Sequence, residues 1–445
     1  MHADDTVAAL STPPGRSAVA VVRMSGPASR EIAQRVLQAP PDVSRTVRLT
    51  ALLDPRDGSL IDRVVATFFT APHSYTGEDV LELTTHGGLA APTAALEALL
   101  ACGARLALPG EFTRRAVLNG KLDLIQAEAT GDLIDATSSA MRRAAVSQLD
   151  GGLSRRIASL RNEVLELEAL IAYDIDFPEE DDGPVPRGRV ESSGRALIAS
   201  IEALLATAPT GQALREGAVV VIAGAPNVGK SSLFNALLGE ARAIVTNIPG
   251  TTRDALEAVI DTRPLPLRLI DTAGLRDTTE LVERLGIEVS ERWLARAHVV
   301  LACGDSAEAV HAARERIQQL CAAPVLEVFT KRDLQAAQHA TGLHVSSETG
   351  DGLRDLLTAV LDTVGAALSA SMDSPVLVHA RHQHALSRAC DELNLFVTAW
   401  QCGHLPAPVA AVHVRAAVHA LDELIGAVST DDVLGRVFER FCVGK

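Results

Sequence analysis

Aromatic residues make up only 3% of this 445-residue chain. Its cores must therefore be closed by aliphatic side chains and alanine, within an apolar content of 47%. No uninterrupted apolar run reaches the ~18 residues of a membrane-spanning helix. The opening MHADDTV is acidic and lacks the apolar core of a signal peptide. None of the six cysteines (Cys102, Cys303, Cys321, Cys390, Cys402 and Cys442) forms a C-x-x-C pair, which argues against a zinc knuckle or thioredoxin-type site. Basic charge is short as well: 41 Lys and Arg face 56 Asp and Glu, a net charge of −15. That balance disfavours a general nucleic-acid binder, though a local basic patch on an acidic body is compatible with it. The expectation is a cytoplasmic, reduced protein with no membrane contact.

What is present begins with VVVIAGAPNVGKSSLFNALLG, Val219 to Gly239, near the middle of the chain. Its core matches G-x-x-x-x-G-K-S/T, from Gly224 through Asn227, Val228, Gly229 and Lys230 to Ser231, and Ser232 follows. It lies between an apolar strand-like run and a helical pattern, the setting a phosphate-binding loop needs. Backbone N–H groups freed by glycine can wrap phosphate oxygens, Lys230 can reach the terminal phosphates, and Ser231 can ligate Mg²⁺.

Length predicts roughly three domains of ordinary size. Residues 1–120 read as an α/β domain: β-rich runs at Val19–Met24, Val64–Phe69 and Val80–Thr85 are punctuated by turn signals at Thr12–Arg16 and at His86-Gly87-Gly88. A helix is expected over Ala90–Leu100. Residues 121–214 carry helical spacing, broken by the acidic, proline-containing run Asp174–Pro186. Residues 215–370 alternate apolar strands (Val219–Ala223, Leu267–Ile270, His298–Ala302, Val325–Thr330, His344–Ser346) with helices, which predicts a parallel sheet covered on both faces. Residues 371–445 return to helix over Val376–Trp400 and Val409–Val428, ending GRVFERFCVGK. The fold class expected is multidomain: an α/β N-terminal domain, a discontinuous all-helical domain, and an inserted Ras-like α/β P-loop GTPase domain. Insertion would put both module ends against the same helices.

Three further segments follow the loop in the order of a GTPase. Gly250-Thr251-Thr252 stands in the switch position, where a threonine hydroxyl closes on Mg²⁺. Asp271-Thr272-Ala273-Gly274 ends a strand and offers an acid near Mg²⁺ and a glycine N–H for the γ-phosphate. Thr330-Lys331-Arg332-Asp333 ends another, where Asp333 can accept from guanine N1–H and its exocyclic amine, a donor pair adenine lacks. Ser346-Ser347-Glu348 would present a backbone N–H to the guanine carbonyl. Thr330 and Ser347 replace the commoner asparagine and alanine, which predicts somewhat weaker guanine affinity. Leu275 follows DTAG where many GTPases carry a water-orienting glutamine, so that group must come from elsewhere. Asn227, with carbonyls from the Thr246–Thr251 switch, could hold a monovalent cation beside the phosphates; equally, it could be a loop filler.

With TPPGRSAVAVVRMSG, GEDVLELTTHGG, LPGEFTRRAVLNGKLDLIQAEATGDLIDA, IDFPEE, AIVTNIPGTTRD, DTAGLRDTTELVERLGIE and the terminal FCVGK, the chain resembles the MnmE (TrmE) family of tRNA-modification GTPases from end to end. The resemblance implies a potassium-activated GTPase whose G domains dimerise across the nucleotide face. It matches Asn227, Thr246, Ile248 and Thr251 to a K⁺ site, and Ser231 and Thr252 to Mg²⁺ ligands. Asn247, Pro249 and Gly250 complete the switch around GTP. Glu283 matches the acid that positions water indirectly; from its own pattern it reads as a helix-surface glutamate. The N-terminal region is implied to form a homodimer and to bind 5-formyl- or methylene-tetrahydrofolate through Arg23, Glu82, Lys121 and Lys445. Cations there suit the folate carboxylates, and an acid suits the pterin edge. The tail is implied to reach the one-carbon site, with Cys442 a candidate reacting group and Val443 in place of the commoner isoleucine. The implied work is done with a flavin- and NADH-dependent partner, MnmG (GidA), to which the larger share of the tRNA contact would fall. Together they install an aminomethyl or carboxymethylaminomethyl group on the wobble uridine of certain tRNAs.

Two other readings fit the GTPase motifs. An assembly factor acting on ribosomal RNA would need an appendage such as a KH domain with a basic GXXG loop, and no such segment is visible after Leu368. A purely regulatory switch would turn over slowly. His379, His382 and His384 raise a third thought, a metal site, but no acidic or thiol ligand lies close in sequence, and helix-surface histidines are the simpler account.

Overall fold

A computed structural model describes residues 5–176, 186–240, 243–244, 256–271, 292–334, 342–368, 376–402, 407–426, 437–438, 441 and 444. The chain divides into two compact units, Met1–Gly131 with Asp422–Lys445, and Asp132–Leu421. The division falls 11 residues beyond the step in pattern at 120/121 and 51 beyond that at 370/371; Leu124 and Ala127 pack with Phe438.

The first unit is built on a six-stranded sheet in the order β3-β4-β5-β2-β1-β6. Its strands are β1 (Val7–Leu10), β2 (Gly15–Ser25), β3 (Val47–Leu53), β4 (Leu60–Phe69), β5 (Val80–Gly88) and β6 (Arg105–Leu106). Every pairing is antiparallel except β1 with β6. Helices α1 (Ser29–Val36) and α2 (Ala90–Ala101) cover one face, where Val22, Met24, Phe68, Leu81, Leu83 and Leu99 form the core. The alternation of these residues along the strands is what directs them to one side. A second, smaller cluster of Val7, Ala9, Ala107 and Phe112 is closed by α3 (Glu111–Leu118). Helix α4 (Leu124–Asp135) follows.

Two turn signals of the sequence lie instead inside strands. Gly15-Arg16 opens β2 and His86-Gly87-Gly88 closes β5, with Gly15 opposite Gly88 across an irregular register. A Cβ on Gly87 would overlap the Ser17 carbonyl, so this glycine permits a close approach of two strands rather than a reversal. Strands β1 and β3 were not legible at all, being short or interrupted by arginine.

The second unit opens with α5 (Ser139–Leu149), α6 (Gly152–Asp176), α7 (Arg187–Leu205) and α8 (Ala208–Glu216). Ser138 caps α5, its Oγ accepting from the Met141 N–H at 3.1 Å. The stretch Arg187–Glu216 is apolar and long enough to cross a bilayer by composition, but half of its apolar window is buried in protein and the helix breaks at Ala206-Thr207. A seven-stranded sheet follows, ordered β13-β12-β11-β7-β10-β9-β8. It comprises β7 (Ala218–Gly224), β8 (Ala243–Ile244), β9 (Leu256–Ile260), β10 (Leu267–Asp271), β11 (Val299–Gly304), β12 (Val325–Phe329) and β13 (Leu343–His344). The expected parallel sheet holds for five strands; β9 is antiparallel to β10 and to β8, a hairpin the sequence reading missed beside the switch motif. Helices α9 (Lys230–Glu240), α10 (Ala307–Leu320) and α11 (Leu353–Ala367) flank it. The central strand explains the covering on both faces: Ala218, Val220 and Ile222 enter one core, Val219 and Val221 the other.

After the sheet come α12 (Ala380–Cys402) and α13 (Ala407–Ile425). Helices α7 and α12 meet across 213 positions of sequence, where Trp400 Nε1 donates to the Arg187 carbonyl at 3.2 Å. Phe396 is fully buried in that contact region, and Gly194 of α7 faces Val397. Helix α12 starts four residues later than the pattern from Val376 predicts. Val376–Val378 are buried, and the Leu377 N–H bonds to Thr207 Oγ1 at 3.1 Å, which ties this segment to α8 rather than to a helical ladder.

That tie depends on Gly211, because a Cβ there would overlap the Leu377 backbone carbonyl. Alanine is favoured over glycine in a helix interior by about 1 kcal/mol. The overlap with rigid backbone outweighs this, so Gly211→Ala is expected to destabilise the protein by about 1–3 kcal/mol. Urea denaturation followed by circular dichroism measures it; an equal or higher midpoint would contradict the packing described.

Candidate functional site

The loop after β7 is placed by a central strand whose residues 218–222 are all buried. Gly224 turns it with φ +151°, where a Cβ would overlap the Cys303 carbonyl of β11. Asn227 and Gly229 take φ +60° and +95°, conformations that curl the backbone so that successive N–H groups can face one concavity. Lys230, at the start of α9, is buried, and its Nζ donates to the carbonyls of Gly224 at 3.1 Å and Ala225 at 2.8 Å. The lysine therefore lies across the loop it would share with phosphate. Ser231 Oγ donates to Asp271 Oδ2 at 2.7 Å, and Asp271 is fully buried at the end of β10. A hydroxyl and a carboxylate this close form two sides of a site for a hard cation such as Mg²⁺. Burial pushes the neighbouring Cys303 thiol up to about 12, which leaves it an inert packing group.

Thr330 does more than its sequence suggested. Its side chain is buried, and Oγ1 lies against two carbonyls, that of Val228 in the loop and that of Gly304 at 3.1 Å. One hydroxyl proton is shared between them, stapling the end of β12 to the phosphate loop. Lys331 has φ +58° and its Nζ pairs with Asp305 Oδ2 at 3.0 Å. Asp333 Oδ1 accepts from Ser346 Oγ at 2.7 Å, and that serine also accepts from the Thr349 N–H at 3.2 Å. The carboxylate is thus oriented with its second oxygen left for a donor pair such as the guanine edge. Ser347 is half-buried and Glu348 exposed in the same turn, while Ser232 and Asn227 are exposed on the loop side.

Of the residues expected at the site, Thr246, Asn247, Ile248, Pro249, Gly250, Thr251, Thr252, Thr272, Ala273, Gly274 and Glu283 lie outside the described residues, as do Cys442 and Lys445. The structure gathers Asn227 to Ser232, Asp271, Thr330 to Asp333 and Ser346 to Glu348 at the carboxyl ends of β7, β10 and β12, where α/β sheets bind ligands.

In the first unit, Arg23 and Glu82 are cross-strand neighbours and form an ion pair, Nη2 to Oε1 at 2.8 Å. The guanidinium also lies 5.4 Å from the Tyr75 ring centroid and 5.7 Å from that of Phe112. Lys121 is exposed, and its Nζ donates to the Pro72 carbonyl at 3.1 Å. In the tail, Phe441 and Phe438 pack ring to ring at 5.3 Å, and the Gly444 carbonyl accepts from Ser11 Oγ at 3.1 Å. These tail residues are held against the sheet unit, which a short, frayed terminus would not be. Among the described residues, no cluster of His, Cys, Asp and Glu has the makings of a metal site; His379 instead bonds Asp132 at 2.7 Å and His382 is buried.

A family model described as the MnmE helical domain matches residues 124–442, and one described as the GTP-binding protein TrmE N-terminus matches residues 6–121. The tRNA modification GTPase MnmE of Azoarcus sp. is 43% identical over 99% of this chain and 98% of its own length. That of Neisseria meningitidis serogroup A is 42% identical over 99% of each. That of Aquifex aeolicus is 38% identical over 99% of this chain and all of its own.

The Thr330 staple gives a direct test. Thr330→Val keeps the shape and the backbone N–H that meets the Gly304 carbonyl at 2.9 Å, but removes the hydroxyl that reaches Val228, and is expected to cost about 1–3 kcal/mol of stability. Thr330→Ser, which keeps the hydroxyl, should recover most of it. Equal urea midpoints for the valine and serine variants would show that the hydroxyl holds nothing.

Proposed function

The chain belongs to the MnmE family of tRNA modification GTPases, and we propose that its hydrolysis of GTP is potassium-activated and drives the modification of a tRNA wobble uridine. The observation that supports this reading is that Lys230, Ser231 and Asp271 are bonded about the loop while Asp333 stands three residues beyond Thr330, whose hydroxyl bonds the loop at Val228. The loop N–H groups and Lys230 bind the phosphates; Asp333 selects guanine. Ser231 and Thr252 would hold Mg²⁺, which neutralises phosphate charge when bound.

Leu275 cannot orient water, so the rate must come from charge stabilisation and from an acid elsewhere, for which Glu283 is the candidate. Asn227, exposed on the loop with a positive φ, is suited to hold K⁺ with Thr246, Ile248 and Thr251. A monovalent cation there supplies the positive charge that an arginine finger supplies in other GTPases. The GTPase module is then a switch set between helical segments 121–214 and 371–445.

The sheet face away from the first unit's core supports a second function. Val47, Thr67, Glu82 and Arg23 form one cross-strand row, and Leu49, Val65, Thr84 and Val21 the next. Val47 and Leu49, on the edge strand β3, are each 69% exposed, an apolar edge suited to a second copy of the chain. The Arg23–Glu82 pair and Lys121 match the charges a tetrahydrofolate requires, with Lys445 from the tail. Folate would supply the one-carbon unit, Cys442 would lie at that site, and a flavin-dependent MnmG partner would carry the redox chemistry and the larger share of tRNA contact. This division accommodates a net charge of −15 on this chain. The cytoplasm, where GTP and tRNA meet, is the matching location.

The test compares GTP hydrolysis in potassium and in sodium for the wild type and for Asn227→Ala. Potassium is expected to accelerate the wild type by roughly 10²–10³-fold, and the variant should turn over equally slowly in both salts. Equal rates in all four conditions would remove the cation mechanism while leaving guanine binding intact.

A further inference from the structure

Away from the phosphate loop, the second unit encloses a cavity of about 330 Å³, at the low end of the ~300–1,000 Å³ range that holds small molecules. Its walls come from the end of α4, from α5, from the last turn of α8, from the start of β10 and from the segment before α12. Its lining combines polar residues with the apolar Met141, Ala144, Ala145 and Val378.

The charges on the wall do not cancel evenly. Asp132 accepts from Arg215 Nε at 3.3 Å and from His379 Nε2 at 2.7 Å. Arg268 donates through Nε to the Glu216 carbonyl at 2.8 Å and pairs through Nη1 with Glu257 at 3.2 Å. Both guanidiniums are therefore engaged within the protein. Beyond these pairs the wall carries further acceptors. Asp135 is exposed and has no ion pair among the described residues. The Glu216 carboxylate meets only Gln212 Nε2 at 3.3 Å among them. Gln148 is 4% exposed and spends its Nε2 on the Val376 carbonyl at 3.2 Å, which leaves its buried Oε1 without a partner. An orphaned buried acceptor of this kind costs about 1–3 kcal/mol unless a donor meets it. The torsion about the terminal bond of glutamine is broad, so the amide can turn this oxygen to a donor in the cavity, exchanging the 3.2 Å Nε2 contact to Val376 for the new one.

We propose that this cavity binds a small organic ammonium ion, whose N–H groups are taken by Gln148 Oε1 and the Asp135 and Glu216 carboxylates and whose alkyl body lies on Met141 and Val378. A bare inorganic cation would leave the apolar lining unused, and an anion would meet three acceptors beside guanidiniums that already have partners. The site lies on both chain crossings between the nucleotide-binding sheet and the helices, since Glu216 lies two positions before the start of β7 and Val378 lies in the return segment.

The test is calorimetric titration of the intact wild-type protein with butane-1,4-diamine at fixed ionic strength, beside butane-1,4-diol, succinate and potassium chloride. Saturable binding of the diamine alone is expected, weakened about tenfold or more by Asp135→Asn, which is exposed and leaves the core untouched, and by Gln148→Met. A thermal melt on each variant separates lost binding from lost folding. Absence of diamine binding would overturn the proposal. So would equal binding of the diol or potassium, binding of succinate instead, or unchanged affinity in a folded Asp135→Asn variant.

Discussion

A phosphate loop must keep its backbone N–H groups open to a ligand while every other part of it is held still. Here that constraint is met by packing on three sides of one strand end. Strand β7 is apolar throughout and feeds two cores at once, so it cannot slide without exposing one of them. Gly224 then lets the chain turn directly against β11, and the Thr330 hydroxyl grips the loop at Val228 from the end of β12, on the far side of β11. Lys230 and Ser231 project from the first turn of α9 into the space so defined, toward the loop carbonyls and Asp271. The nucleotide contacts of three separated motifs are thereby set by backbone packing before any ligand arrives, which is the economy that preorganised sites exploit.

The same logic extends to the flanks. The module leaves the helices at Glu216 and returns through Val376–Val378, and the two crossings are tied by Gly211, Thr207 and Gln148. A change of state in the nucleotide-binding sheet would act on this joint through β10, which carries Asp271 at one end and Arg268 three residues before it. In the other unit, the ion pair of Arg23 and Glu82 lies on the outer face of a sheet whose edge is apolar, and the chain terminus is held against β1 through Gly444. The phosphate loop and this ion pair thus lie in separate units of one chain.

Much of this was legible from residues alone. The strands β7, β10, β11 and β12 are runs of β-branched and aliphatic residues, and a parallel, doubly covered strand needs nothing else. The GTPase motifs were found because backbone geometry and metal ligation demand particular residues at fixed spacing. Strands β8 and β9 were missed because LEAVI carries an acid and follows a segment read as switch, so its pairing with β10 is decided by tertiary contact. Gly87 was read as a turn residue, since a sequence does not distinguish a glycine that reverses the chain from one that lets Ser17 approach. For Thr330 the departure from asparagine was plain, but the two carbonyls its hydroxyl meets lie 102 and 26 positions away. The cavity by α5 was invisible for the same reason, as its walls come from five elements.

The most direct measurement is nucleoside analysis of bulk tRNA from a strain lacking this chain, complemented with the wild type or with Asp271→Ala. The expected result is a wobble uridine without its C5 substituent in the deletion strain, restored by the wild type and not by the variant. An unchanged wobble uridine in the deletion strain would contradict the assignment to tRNA modification.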